Sequence, residues 1–167
     1  GPVFAETIWD KAQNGKADEV IDMIKKDPKL LTKEDSDGTN VFHCALAAGD
    51  MKLVKFCLEK GAGIEAKSKR GETPIIFAAA FGHMEAVKLL LDKGANINAV
   101  TRYGNCVTYA AGRKHIDMIK FLISKGIDLD IKGENGETIL HNVASRTSPE
   151  IVQLLIDKGL KPNVATK

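Results

Sequence analysis

Apolar and polar positions fall into blocks along residues 71–94, and the blocks predict two short helices. A polar turn comes first, an apolar and alanine-rich run follows, and Gly82 interrupts that run. Apolar residues then recur three and four positions apart over 83–91, which is the spacing of an amphipathic helix. We expect Thr73 to cap the first helix and Pro74 to begin it, because proline suits the first helical position.

The same order of blocks recurs along the chain with a period of about 33 residues. The turn glycines stand at 38, 71 and 104, and Lys-Gly pairs that end the second apolar segment begin at 60, 93, 125 and 158. One helix pair of this size cannot bury a core alone, so the period predicts that neighbouring pairs stack. We assign five units, at 1–36, 37–69, 70–102, 103–134 and 135–167.

The sequence within these units resembles the ankyrin-repeat family. The segments GETPIIFAAAFGH at 71–83 and LLDKGANIN at 90–98 are similar to the family signature, and DGTNVFH at 37–43 and GETILH at 136–141 repeat its opening. The resemblance covers nearly the whole chain. It implies an all-α solenoid of stacked helix-turn-helix pairs, with β-turn fingers between the pairs, that binds other proteins.

Three units depart from the common pattern. The first carries polar Asp10 and Lys11 where later units have apolar or alanine residues, which suits an N-terminal cap. The fourth is one residue shorter and has Cys106 in the proline position and Lys114 in the position of Gly82, so we expect a shortened or tilted finger. The fifth keeps the apolar pattern of an internal unit.

The chain opens on Gly-Pro without an initiating Met, as a protease-cleavage scar would leave, and we expect 1–167 to be a single domain of a longer protein.

Charge and hydropathy narrow the possible partners. The chain has 167 residues and a formal net charge of +2, but residues 67–114 hold eight basic against three acidic groups. No apolar stretch approaches the roughly 20 residues that cross a bilayer, so we expect no membrane insertion. The basic residues lack the interleaved aromatics of a nucleic-acid reader, so we expect no nucleic-acid binding. We expect a monomer whose partner is another protein or a peptide segment.

The histidines and cysteines, which often serve as catalytic or metal-binding residues, have positions that the repeat explains. The four histidines fall in recurring positions of the repeat, and the family resemblance implies that the rings of His43 and His141 hydrogen-bond across units. The three cysteines show no metal-ligand spacing and indicate a reduced, intracellular location, cytoplasmic or nuclear. Cys106, at a helix start, is expected to be the most reactive thiol. We expect no catalysis, no cofactor and no metal.

The family resemblance implies binding through the fingers and the exposed ends of the first helices. Aromatic and arginine residues are common binding hot spots, and here they cluster at the centre of the row that the fingers and first-helix ends form. An open alternative is that Phe81 covers neighbouring repeat surface and the arginines only confer solubility. We interpret the chain as a non-catalytic adaptor for an acidic segment with apolar anchors; the alternative is a regulatory or targeting domain of a larger enzyme, channel or host-directed secreted effector. The candidate binding residues are Lys69, Arg70, Phe81, Arg102, Tyr103, Arg113 and Arg146.

Overall fold

The computed structural model describes residues 5–162, so the opening Gly-Pro pair and the last five residues lie outside it. Short helices follow one another in pairs along this part of the chain, with turns between the pairs. A 3₁₀ turn, Pro28–Leu31, follows the first pair. The helices are α1 Ile8–Gln13, α2 Ala17–Lys26, α3 Val41–Ala48, α4 Met51–Glu59, α5 Pro74–Ala80, α6 Met84–Asp92, α7 Cys106–Gly112, α8 Ile116–Ser124, α9 Ile139–Ala144 and α10 Pro149–Asp157.

The first helices of the pairs pack in one row, α1 on α3, α3 on α5, α5 on α7 and α7 on α9. The second helices α2, α4 and α6 form a parallel row behind them. Buried apolar side chains form one continuous core from Ile8 to Leu160, in which alanines of the first helices allow the helices to approach closely. The predicted all-α solenoid is confirmed, and within residues 5–162 the only β-type pairings are isolated bridges at the fingers.

Local sequence explains where the helices begin. Pro74 begins α5, as predicted, and Thr73 has the extended backbone of an N-cap. The predicted capping bond is wrong, however, because the Thr73 side chain makes no hydrogen bond to the helix and its hydroxyl is buried. Asn40 and Thr138 do cap their helices through their side chains. The fixed φ of proline supports the start of α5 instead.

One histidine links neighbouring pairs, but it is not one of the two predicted. His43 Nε2 lies 2.7 Å from the carbonyl oxygen of Ala66, in the loop that follows its own pair. The exposed His141 ring bonds only to Thr138, at its own helix start, among the described residues. The ring that crosses between pairs belongs to His83, whose Nε2 lies 2.9 Å from the Ala47 carbonyl oxygen.

Left-handed turns between the helices of a pair make room for these rings. Gly49 has a φ of 69°, and a Cβ atom there would lie 2.4 Å from His83 Nδ1. Gly82 has the same relation to His115 in the next pair. Lys114 holds the corresponding turn of the fourth pair with a φ of 61°, and the last pair places no histidine against it: Thr147 instead donates its hydroxyl to the Ala111 carbonyl oxygen. This turn therefore accommodates a side chain, whereas one at Gly49 or Gly82 would collide with the histidine ring of the next pair.

All three cysteines are buried and unpaired in the described part of the chain. Burial raises the pKa of Cys44 to about 11 and the pKa values of Cys57 and Cys106 to about 12. The expectation that Cys106 is the most reactive thiol is wrong, because this side chain is completely enclosed and the helix N-terminus does not offset its desolvation.

None of the helices within residues 5–162 is long and apolar enough to cross a bilayer.

Candidate partner-binding surface

Two recurring positions place side chains on one side of the stack. We call the third residue before the N-cap of each first helix the finger position, and the eighth residue after that N-cap the end position. The N-caps are Thr7, Asn40, Thr73, Asn105 and Thr138. The described finger positions hold Asp37, Arg70, Arg102 and Asn135, and the end positions hold Gly15, Ala48, Phe81, Arg113 and Arg146.

The fingers and the first helices enclose two adjoining cavities, which together we call the finger groove. The first cavity has a volume of about 390 Å³ and the second about 250 Å³. They share four lining residues, so a ligand segment can run from one cavity into the other. These shared residues are Arg70, Glu72, Tyr109 and Arg113.

The two cavities differ in chemistry. The first is cationic, since Arg146 joins the shared Arg70 and Arg113 and the only carboxylate in its wall is that of Glu72. Tyr103 completes its aromatic side. The second has an apolar wall from α5 and its C-cap, formed by Ile76, Phe77, Ala80 and Phe81. The groove therefore offers an apolar end beside a positively charged end.

Two of the guanidinium groups lie over aromatic rings. The Arg113 guanidinium carbon lies 4.1 Å from the centroid of the Phe81 ring, and that of Arg102 lies 5.7 Å from the Tyr103 centroid. Phe81 and Tyr103 are nevertheless 37% and 39% exposed, the largest exposed aromatic side chains among residues 5–162. An exposed ring with a stacked guanidinium can contact apolar and anionic groups of one ligand.

Hydrogen bonds fix the polar wall between the cavities. The Ser68 hydroxyl donates to Glu72 Oε2 over 3.0 Å and accepts the Arg70 backbone N–H over 3.2 Å. The Tyr109 hydroxyl lies 3.1 Å from Thr101 Oγ1, and burial raises the pKa of Tyr109 to about 12. Its phenol is therefore protonated at neutral pH.

The arginines are not paired with carboxylates inside the described part of the chain. All six ion pairs there, at up to 4.0 Å, use a lysine, and most lie on the face formed by the first two helix pairs. The guanidinium groups of the groove therefore retain hydrogen-bonding capacity for a ligand.

Five of the seven predicted binding residues line the groove: Arg70, Phe81, Tyr103, Arg113 and Arg146. Lys69 does not, because its ammonium donates to the Ser36 carbonyl oxygen over 2.7 Å in the preceding finger. Arg102 lies beside Tyr103 but outside both cavities. Glu72 and Tyr109 also line the groove but were not predicted from the sequence. Glu72 lies two residues after the finger position Arg70, and Tyr109 lies four residues before the end position Arg113, so alignment of the repeats could have indicated both.

The groove contains no constellation suited to metal chemistry. Within residues 5–162, no three histidine, cysteine, aspartate or glutamate side chains come together as metal ligands would.

Comparison with known proteins agrees with this architecture. Residues 8–101 match a family model described as ankyrin repeats in three copies, and residues 107–156 match one described as ankyrin repeats in many copies.

Curated relatives include 26S proteasome non-ATPase regulatory subunit 10 from Rattus norvegicus and from Mus musculus, each 34% identical over 67 residues. The Homo sapiens protein of that name is 32% identical over the same length. These matches cover 40% of this chain and only 29% to 30% of each relative. The family model that spans residues 8–101 covers more than half of the chain, which thus belongs to the ankyrin-repeat family, whose repeats are protein-interaction modules.

Proposed function

We propose that this chain is a non-catalytic adaptor that binds a segment of a partner protein in the finger groove, which we take as the concave face of the solenoid. The observation that carries the proposal is the stack of Arg113 on Phe81, at the junction of the apolar and the cationic cavity. A segment with an apolar anchor next to acidic side chains complements both ends of the groove.

The charge distribution supports an acidic partner. The segment 67–114 carries an excess of five positive charges, and none of its arginines forms an ion pair with a carboxylate within residues 5–162. Aromatic and arginine side chains at the centre of an interface contribute most of the binding energy in known complexes. If the arginines only conferred solubility, their guanidinium groups would not need to stack on exposed aromatic rings.

The relatives support a role within a larger assembly. Their name describes a regulatory subunit of the 26S proteasome that is not an ATPase. The match is too short to transfer that assembly to this chain, but it favours regulation through binding. It also supports the second candidate, in which the chain is the regulatory or targeting domain of a larger enzyme, channel or host-directed effector.

We further propose that the protein is a monomer, works in a reducing, intracellular setting and binds no nucleic acid.

Affinity capture with matched variants tests this function. Wild-type protein is compared with a Phe81→Ala, Arg102→Glu double variant, and Lys88→Glu on α6 serves as the control charge reversal. We expect specific partners to be lost from the double variant and kept by the control. Equal capture by all three proteins, with the fold of each checked by circular dichroism, would exclude the finger groove as the binding surface.

A further inference from the structure

Three of the four arginines of the chain line a single cavity. Arg70, Arg113 and Arg146 border the first cavity of the finger groove, and each has an exposed side chain. They come from three successive helix pairs, so the stacking of the repeats brings together cations that are distant in the sequence. Among residues 5–162 no lysine lines either cavity of the groove, although the chain contains 20 lysines.

The charge of the first cavity matches that of a dianion. The three guanidinium groups carry +3 and the Glu72 carboxylate carries −1, which leaves a net charge of +2. A phosphorylated side chain carries about −1.5 to −2 at pH 7, concentrated on one group. A single carboxylate carries half of that charge. Two adjacent acidic residues carry as much, but neighbouring side chains of an extended segment point to opposite sides, so only one of them enters the cavity.

Arginine is the cation whose geometry suits a phosphoryl group. A guanidinium is planar and presents a fork of donors that can give two parallel hydrogen bonds to phosphoryl oxygens, whereas an ammonium acts as a point charge. The Arg113 guanidinium is already positioned by the ring of Phe81, at 4.1 Å from carbon to centroid. Stacking occupies the face of the guanidinium and leaves its N–H edge available to a ligand.

The second cavity favours a phosphoryl group that belongs to a protein segment. Arg70 and Arg113 line both cavities, so an anion that they bind lies where the two cavities meet. Beyond this boundary, α5 and its C-cap Phe81 form the apolar wall of the second cavity. A free phosphate ion would leave this wall in contact with water. A phosphorylated residue in a protein segment can place a nearby apolar side chain of the same segment against it.

We propose that the finger groove recognises a phosphorylated side chain of a partner segment. The phosphoryl oxygens accept hydrogen bonds from Arg70, Arg113 and Arg146 in the first cavity, and an apolar side chain of the same segment packs in the second. This inference rests on the proposed function and specifies the ligand. Its consequence is that phosphorylation of the partner controls its binding to this chain.

The direct test is an NMR titration followed through the arginine side chains. Each of the four arginines gives its own Nε–Hε signal, and Arg102 is an internal control because it lies outside both cavities. The probe is a nine-residue peptide of serine and glycine with phosphoserine at its centre and a leucine two positions to either side. Since alternate side chains of an extended chain share one side, either chain direction can offer a leucine to the second cavity.

Three further ligands serve as controls at the same salt concentration: the peptide with serine at its centre, the peptide with two adjacent glutamates there, and inorganic phosphate. We expect the phosphopeptide to bind about tenfold or more tightly than each control, because only it combines a dianion with an apolar side chain. We also expect the signals of Arg70, Arg113 and Arg146 to shift more than that of Arg102.

Four results of this titration would overturn the proposal. Equal affinity of the glutamate peptide would show that charge alone is recognised, and equal affinity of inorganic phosphate would show that the second cavity contributes nothing. Absence of phosphopeptide binding at millimolar concentration would exclude the site. A largest shift at Arg102 would place the phosphoryl group outside the first cavity.

A charge-conserving variant tests the guanidinium contact. Arg146 is exposed and lines only the first cavity, so Arg146→Lys keeps the charge and leaves the stack of Arg113 on Phe81 in place. We expect it to weaken phosphopeptide binding about fivefold or more, because an ammonium lacks the fork of donors. The control Lys88→Arg on α6 should leave binding unchanged. Unchanged affinity of Arg146→Lys would contradict the proposed contact.

Phosphatase treatment separates this inference from the proposed function. A partner captured by the wild-type protein is treated with phosphatase and captured again, by wild type and by Phe81→Ala. We expect the treated partner to be lost from wild type. If the treated partner is still captured by wild type but not by Phe81→Ala, the assignment of a phosphoryl ligand is overturned while the adaptor function stands. Capture of the untreated partner by Phe81→Ala as strong as by wild type would overturn both.

Discussion

The guanidinium of Arg113 lies over the ring of Phe81, with 4.1 Å between the guanidinium carbon and the ring centroid. The two residues occupy the same position in successive helix pairs, so the repeat itself brings them together. The ring limits the rotamers of the arginine while both remain exposed. The pair thus has the pre-organised form of an interaction site and contributes little to the core.

Truncation of this ring should leave the fold intact. We expect Phe81→Ala to lower the free energy of unfolding by no more than about 1 kcal/mol, because the ring is exposed and an exposed cation–π contact contributes roughly 0.5–1 kcal/mol. Urea denaturation of the variant and of wild-type protein measures the difference. A loss of about 3 kcal/mol or more would mean that Phe81 covers the neighbouring repeat as a structural residue.

The turn at Gly49 should not tolerate a side chain. We expect Gly49→Ala to destabilise the protein by roughly 2–3 kcal/mol, from about 1–2 kcal/mol of left-handed strain and the displacement of His83 from the Ala47 carbonyl. The matched control is Gly61→Ala, where φ is 86° but nothing lies within 4 Å of the added carbon. Thermal unfolding that shows equal losses for the two variants would contradict the account of the His83 contact.

Protonation of His43 should weaken the fold below neutral pH. Its Nδ1 accepts the Asn40 backbone N–H over 3.1 Å, so Nε2 carries the single proton and donates it to Ala66. Burial lowers the pKa of His43 from its ordinary value. The unfolded chain therefore takes up the proton first as pH falls below about 6.5.

The free energy of unfolding should consequently fall between pH 7 and pH 5.5, with a limiting slope of about 1.4 kcal/mol per pH unit. Chemical denaturation at several pH values measures this slope. We expect His43→Gln to flatten it over the same range, even if that variant is less stable at pH 7. An unchanged slope in the variant would assign the pH dependence to other groups.

The thiols should all react slowly in the native state. Each cysteine is buried and has a raised pKa, so a thiol reagent should modify Cys44, Cys57 and Cys106 only as fast as the protein opens. Mass spectrometry after timed labelling, with and without urea, gives the rate at each site. Rapid native labelling of Cys106 would contradict its enclosed position.

The period of the sequence predicted the helix pairs because glycine turns and apolar spacing act locally. Pro74 at the start of α5 and the left-handed turn at Gly94 follow from the preferences of single residues. The site was predicted only in part. The direction of the Lys69 side chain and the burial of Cys106 depend on contacts with neighbouring fingers and helices, which a linear pattern does not contain.

Calorimetric titration of a partner segment captured by the wild-type protein tests the central claim most directly. The segment is titrated into wild type, Phe81→Ala and the control Lys88→Glu at one salt concentration. Binding in the groove predicts that Phe81→Ala weakens affinity about 30-fold or more, equivalent to about 2 kcal/mol, and that Lys88→Glu changes it little. Affinity that falls most in Lys88→Glu and is unchanged in Phe81→Ala would place the partner on another surface and contradict the account.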